Sequence, residues 1–226
     1  MKSVRSSRYV RIFIRLAVCA GVAALSACAS SPASRFYTLG AGSAVPGSSA
    51  SPTQRAAGPA FLIEVPPVAV PSQVARNQLV VQTGDARVDV LEQERWASPP
   101  ADEIRRALSG DLAAQLGTFD VYGAPYPNGV PVYRITVNVR RFESWPGSRA
   151  LLDAVWSVRA MGTQSVLTCR TVAQVPVGSG YSALVDGHRQ AVAQMADEIA
   201  AALRTFGFGK ALPSAANGQC AAGSQS

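Results

Sequence analysis

Cys28 closes the run Leu25-Ser26-Ala27-Cys28, at the end of an apolar stretch and directly before Ala-Ser-Ser-Pro-Ala-Ser. A thiol at that point has two readings. In one, the small residues are an ordinary cleavage site of an exported protein. In the other, Cys28 becomes the first residue of the mature chain and the carrier of a lipid. The second reading fixes the protein to a membrane. A single acyl chain gives only marginal binding at ~0.8 kcal/mol per buried CH₂, whereas several chains hold durably.

The remaining reactive side chains are few. His188 is the only histidine, and it lies four residues after Leu184 and four before Val192, on the apolar seam of a helical pattern. Such a histidine is expected to pack in the core. A hydrolase built around it is the competing class, but no serine sits in a G-x-S-x-G elbow. One histidine also removes the usual Cys/His ligand sets for zinc. Asp102-Glu103 and Asp197-Glu198 are adjacent pairs on helices, so the members of each pair point in different directions. Asp102 and Glu103 fall in a first helical turn, where negative charge complements the dipole. The glycine-rich segments lack a following Lys-Ser/Thr, so no phosphate loop is present. These residues give no catalytic site, no metal site and no cofactor, and the expectation is a non-enzyme. Of the other thiols, Cys19 lies in the leader, and Cys169 and Cys220 leave two alternatives open. They form a disulfide in an oxidising compartment, or Cys169 is a buried free thiol and Cys220 is incidental.

Charge and hydropathy set the frame for these residues. Lys2, Arg5, Arg8, Arg11 and Arg15 precede an apolar run from Leu16 to Ala27, the pattern of an export signal over residues 1–27. The run is shorter than the ~20 residues a membrane span needs. The chain carries 21 Lys+Arg against 14 Asp+Glu, a net +7. Five of those cations and no anion lie before Cys28, which leaves +2. No Lys/Arg run or aromatic-basic interleaving follows, so nucleic acid is not an expected partner. Residues 28–60 read as lipid anchor, Phe-Tyr-Thr-Leu segment and flexible Gly/Ser/Pro-rich linker, 61–210 as one folded domain, and 211–226 as a disordered tail.

Within the domain, Phe61, Ile63 and Val65 share a parity before Pro66-Pro67 and predict a short edge strand. The segment QLVVQTGDARVDVLEQ predicts a hairpin around Thr83-Gly84-Asp85. Ser98-Pro99 predicts an N-cap followed by proline at the first helical position. The stripe Ile104, Leu108, Leu112 and Leu116 defines that helix, and Gly117 ends it. Three alternating segments follow, around Tyr133–Arg140, Leu152–Arg159 and VLTCRTVAQVPV, and short turns join them as an antiparallel meander. Leu184, Val192, Met195, Ile199 and Leu203 mark a long final helix closed at Phe206-Gly207. The predicted class is α/β in the two-layer α+β sense, a largely antiparallel sheet with two amphipathic helices on one face. Trp156 is expected in the core, Trp96 as a staple before the first helix, and Trp145 as a turn lid with partner anchoring as the alternative.

Taken in order, LSAC, SSPASRFYTL, FLIEVPPVAVPSQVARNQLVVQ, ERWASPPADEIRRALSGDLAAQL, YRITVNVRRFE, LLDAVWSVRA and YSALVDGHRQAVAQMADEIAAAL resemble the ABC-type transport auxiliary lipoproteins over about residues 25 to 206. The more specific blocks are Arg35-Phe36-Tyr37-Thr38-Leu39 and Arg95-Trp96-Ala97. The 40–60 stretch is longer than expected for the family, and the tail bearing Cys220 has no counterpart. The resemblance implies acylation at Cys28 and a non-enzymatic lipoprotein that docks an MCE-domain protein with its ABC permease and ATPase, in a system moving lipid between membranes. Ala29-Ser30, in place of an aspartate, implies the periplasmic face of the outer membrane. Residues 29 to 35 would hold the fold within ~25 Å of the leaflet. A homo-oligomer is left open. The competing reading is a periplasmic lipid- or small-ligand-binding lipoprotein independent of an ABC system, with its groove between helices and sheet.

Overall fold

Alternation of apolar and polar residues builds the centre of the molecule. In the computed structural model, which describes residues 33–40, 58–206 and 220–224, the chain order is β1 (Arg35–Tyr37), β2 (Leu62–Glu64), a 3-10 turn (Ser72–Val74), β3 (Gln78–Gly84), β4 (Arg87–Trp96), α1 (Pro100–Leu116), β5 (Val132–Trp145), β6 (Arg149–Ala160), β7 (Ser165–Pro176), α2 (Tyr181–Phe206) and β8 (Cys220–Ser224). Strands β5, β6 and β7 form the expected antiparallel meander. The first turn uses Gly147 at φ 66°, a conformation glycine reaches without a Cβ penalty.

The fold is α+β, and its strands divide into two sheets where the alternation predicts one. Five strands run in the order β2-β5-β6-β7-β8, and three run β1-β4-β3. Both contain one parallel pair, β2 with β5 and β1 with β4. The predicted hairpin is the β3–β4 pair. Strand β1 lies at the Phe-Tyr-Thr-Leu segment ahead of the linker, and β8 lies in the segment read as a disordered tail. Cys220–Ser224 pairs along β7 from Cys169 to Ser165, although CAAGS has no strand pattern of its own. The 41–57 stretch and Gly207 lie outside the described residues.

Helix α1 starts one residue later than the Ser98 cap predicts. Pro99 is the N-cap and Pro100 the first helical residue, while the Ser98 hydroxyl accepts from Arg106 Nη2 at 2.6 Å. Gly117 ends the helix at φ 62°, as its C-terminal position predicts. The stripes of both helices meet the sheet in one core. Ile104, Leu108 and Leu112 join Val192, Met195, Ile199 and Leu203 over Ile135, Val137, Leu152, Trp156 and Leu167. Trp156 is 2 % exposed, and its indole N–H donates to Thr171 at 2.9 Å. Trp145 lies in its turn with its N–H on Glu143 at 3.2 Å and Arg149 stacked 4.4 Å above the ring, the turn-lid arrangement. Among the described residues no helix is long and apolar enough to cross a membrane.

Candidate functional site

The block Arg35-Phe36-Tyr37-Thr38-Leu39 is stitched into the domain by contacts 57 to 151 residues away in sequence. Strand β1 lies parallel to β4 in the register Arg35↔Glu94, Phe36↔Arg95 and Tyr37↔Trp96. Glu94 accepts from Arg35 at 2.9 Å and from the Tyr37 hydroxyl at 2.6 Å. Burial, and then the proximity of that carboxylate, push the Tyr37 phenol up. Glu103, fully buried in the first turn of α1, accepts from Thr38 Oγ1 at 2.7 Å, the Leu39 backbone N–H at 2.9 Å and Arg106 at 2.5 Å. Arg189 of α2 donates to the carbonyls of Thr38 and Leu39. Leu39 itself sits in the core at 1 % exposure, whereas Phe36 stays 65 % exposed. Tyr37-Thr38-Leu39 is therefore a latch closing onto both helices, with one aromatic ring of the block left facing solvent.

By its place in the first turn Glu103 complements the helix dipole. That role is compatible with its position, but its main work is to satisfy a buried backbone N–H and a threonine hydroxyl from the distant latch. Glu94 and Arg189 were not singled out at all. Nothing in their own spacing marks them, because their partners are far away in the chain.

His188 is fully buried on α2. It stacks on Phe142 at 4.0 Å, meets Trp96 edge-on at 6.2 Å and shares a 2.8 Å hydrogen bond between Nε2 and Ser144 Oγ. Burial alone lowers its pKa to about 3, so the ring is neutral at physiological pH. Among the described residues Nδ1 has no hydrogen-bond partner. A serine–histidine pair needs an orienting group on the second nitrogen and access for substrate. This pair has neither, since Ser144 is itself 3 % exposed. The packed-histidine reading describes the geometry, and Trp96 is part of the same aromatic cluster rather than a peripheral staple.

Cys169 and Cys220 face one another across β7 and β8 as a disulfide with a sequence separation of 51. Cys28 lies outside the described residues. Among the described residues no group of three or more His, Cys, Asp or Glu side chains is arranged to hold a metal ion.

The latch, the first helix, the meander and most of the last helix are the stretch that relates this chain to known proteins. Residues 37–200 match the family described as ABC-type transport auxiliary lipoprotein component. The chain belongs to that family. Intermembrane transport lipoprotein PqiC of Escherichia coli K12 is 29 % identical over 101 residues, covering 45 % of this chain and 53 % of that relative, and the Shigella flexneri protein of the same name matches equally. The matched stretch thus spans about half the length of these curated relatives. The fold also matches solved structures. A crystal structure of an uncharacterized protein aligns with TM-score 0.58 at 22 % identity, over 75 % of this chain and 98 % of that one. Protein XCC0632 of Xanthomonas campestris aligns with TM-score 0.50 at 16 % identity, over 66 % of this chain and 86 % of that one. These two carry the fold and nothing further.

Proposed function

We propose that this transport auxiliary lipoprotein is a non-enzymatic docking component of an MCE/ABC-type intermembrane lipid transport system, held at the periplasmic face of the outer membrane by acylated Cys28. The observation that carries the reading is the family match across residues 37–200, which begins within the latch. Relatives named for intermembrane transport point the same way. In this reading residues 29 to 34 are a short tether, and the latch transmits any pull on it into α1 and α2 through Glu103 and Arg189. An anchored docking protein needs such a connection, because a frayed N-terminus would pay out slack between membrane and partner. The partner is an MCE-domain protein with its ABC permease and ATPase. In the same scheme 28–60 serves as anchor, latch and linker, and 61–210 as the principal domain. The Cys169–Cys220 disulfide suits an oxidising compartment.

Crosslinking in isolated envelopes tests the partner, and a Cys28→Ala variant tests the anchor. The expected results are recovery of an MCE-domain protein and loss of the variant from the outer-membrane fraction. Failure to recover such a protein under conditions that preserve membrane complexes refutes the docking role. A variant that stays in the membrane fraction refutes the anchor. The alternative ligand-binding reading placed its groove between helices and sheet, but that interface is occupied by the core of Ile104, Leu108, Leu152, Trp156, Val192 and Met195.

A further inference from the structure

The face of the five-stranded sheet opposite the helices carries a cluster of arginines that the docking role does not use. Along β5 the buried positions are Ile135, Val137 and Val139, and then Phe142 and Ser144. The parity switches because a bulge interrupts the ladder: Val139 pairs with Ala154, Arg141 pairs with Asp153, and Arg140 between them has no partner in register. A bulge adds one residue to a strand and re-aims its side chains. Here it leaves Arg140 and Arg141 consecutive and exposed, on the face where strict alternation would allow only one of them.

Arg140 and Arg141 line a cavity of about 400 Å³ with Asp153, Val155 and Arg170. Arg170 holds Asp153 with two hydrogen bonds of 2.9 and 2.7 Å, and Arg141 holds Glu143 with two of 2.7 and 3.1 Å. Arg140 makes no hydrogen bond or ion pair among the described residues. Three guanidinium groups thus meet two carboxylates, leaving one positive charge in excess and one planar donor set unclaimed. Asp153 is held below the usual carboxylate range, first by its hydrogen bonds from Arg170 and then by the charges of Arg170, Arg141 and Arg140. It therefore stays ionised and keeps Arg170 fixed at the cavity wall. Val155 adds apolar lining, and Val172, paired with Asp153 on the neighbouring strand, is 46 % exposed.

We propose that this cavity binds a phosphate ester, with the phosphate oxygens on Arg140 and on the N–H groups of Arg141 and Arg170 that Glu143 and Asp153 leave unused, and the carbon side of the ester on Val155. Arginine matches phosphate because its rigid fork offers paired donors to two oxygens. The apolar wall distinguishes an ester from free phosphate, which has no carbon to place there. The site stands on the cavity's own residues and holds whether or not the chain docks to a transporter.

Titration calorimetry of the purified full-length lipoprotein in nonionic detergent tests it with three water-soluble probes. These are glycerol 3-phosphate as a soluble monoester, glycerophosphoglycerol as the deacylated diester headgroup of a phospholipid, and inorganic phosphate. The expected result is saturable binding of at least one ester, tighter than inorganic phosphate and weakened at least tenfold in Arg140→Gln. Preference for the diester assigns the natural source to a lipid headgroup, and preference for the monoester to a soluble metabolite class. Arg140 is exposed and unpartnered, so thermal unfolding of Arg140→Gln should match wild type. Absence of saturation, equal affinity for inorganic phosphate and both esters, or unchanged affinity in folded Arg140→Gln overturns the proposal.

Discussion

Acidification gives a direct test of the buried histidine. An unfolded histidine titrates near 6.5, and His188 in the folded protein titrates at about 3, with burial as the cause. Its folded pKa is depressed, so between these values the unfolded chain binds a proton that the folded chain refuses. The associated stability is fully present above pH 6.5 and is lost progressively as pH falls towards 3. One pH unit corresponds to about 1.4 kcal/mol, so two units below 6.5, at pH 4.5, the loss is about 3 kcal/mol. Carboxylates titrate over part of the same range, and a His188→Gln variant separates their contribution because glutamine does not ionise. Urea unfolding followed by the fluorescence of buried Trp96 and Trp156 measures both proteins at pH 7.5 and 4.5. His188→Gln is expected to be the less stable at pH 7.5, since it loses the ring that stacks on Phe142. Its deficit relative to wild type should shrink by about 3 kcal/mol at pH 4.5. A difference that stays constant between the two pH values would refute the sealed, neutral histidine.

Glu103→Ala should leave the buried Leu39 N–H without its acceptor, at a cost of about 1–3 kcal/mol, and limited proteolysis should then cut within residues 33–40 before the domain unfolds. Gly187→Ala should destabilise the fold even though alanine is the better helix former. A Cβ there would lie 2.3 Å from Val177 Cγ1 and 3.0 Å from Ala150 Cβ, and overpacking of this kind costs about 1–3 kcal/mol against the ~1 kcal/mol of propensity gained. Thermal unfolding reads the sign. Reducing the Cys169–Cys220 disulfide opens a loop with a sequence separation of 51, which chain-entropy arguments value at about 4 kcal/mol. The midpoint of urea unfolding should fall on reduction and should not respond to reductant in Cys169→Ala.

Much of the framework was legible in the chain itself, for a physical reason. Burial on one face imposes a period of two on strands and about four on helices, and these patterns survive in any neighbourhood. The meander of β5, β6 and β7 could therefore be read from Ile135, Val137, Leu152, Trp156 and their alternating partners, and α2 from Leu184 to Leu203. His188 could be placed on the apolar seam by the same counting. The parity switch at Arg140-Arg141 was also present in the sequence, as two successive polar residues between Val139 and Phe142. Alternation along one strand does not identify it, because a bulge shows only once the partner strand supplies the register.

Sequence by itself determined the five cations before the apolar run of residues 16–27, the position of Cys28 before the Phe-Tyr-Thr-Leu block, the α+β class and the family resemblance. Each of these is carried by local order along the chain. Only the tertiary structure decided that Glu103 clasps Thr38 and Leu39, that Arg189 reaches back across 150 residues to Leu39, that the strands divide into two sheets, and that Cys220 lies beside Cys169. Those features depend on which distant groups meet. A buried carboxylate, an edge strand without a pattern and an unpaired arginine take their roles from neighbours that local periodicity does not name.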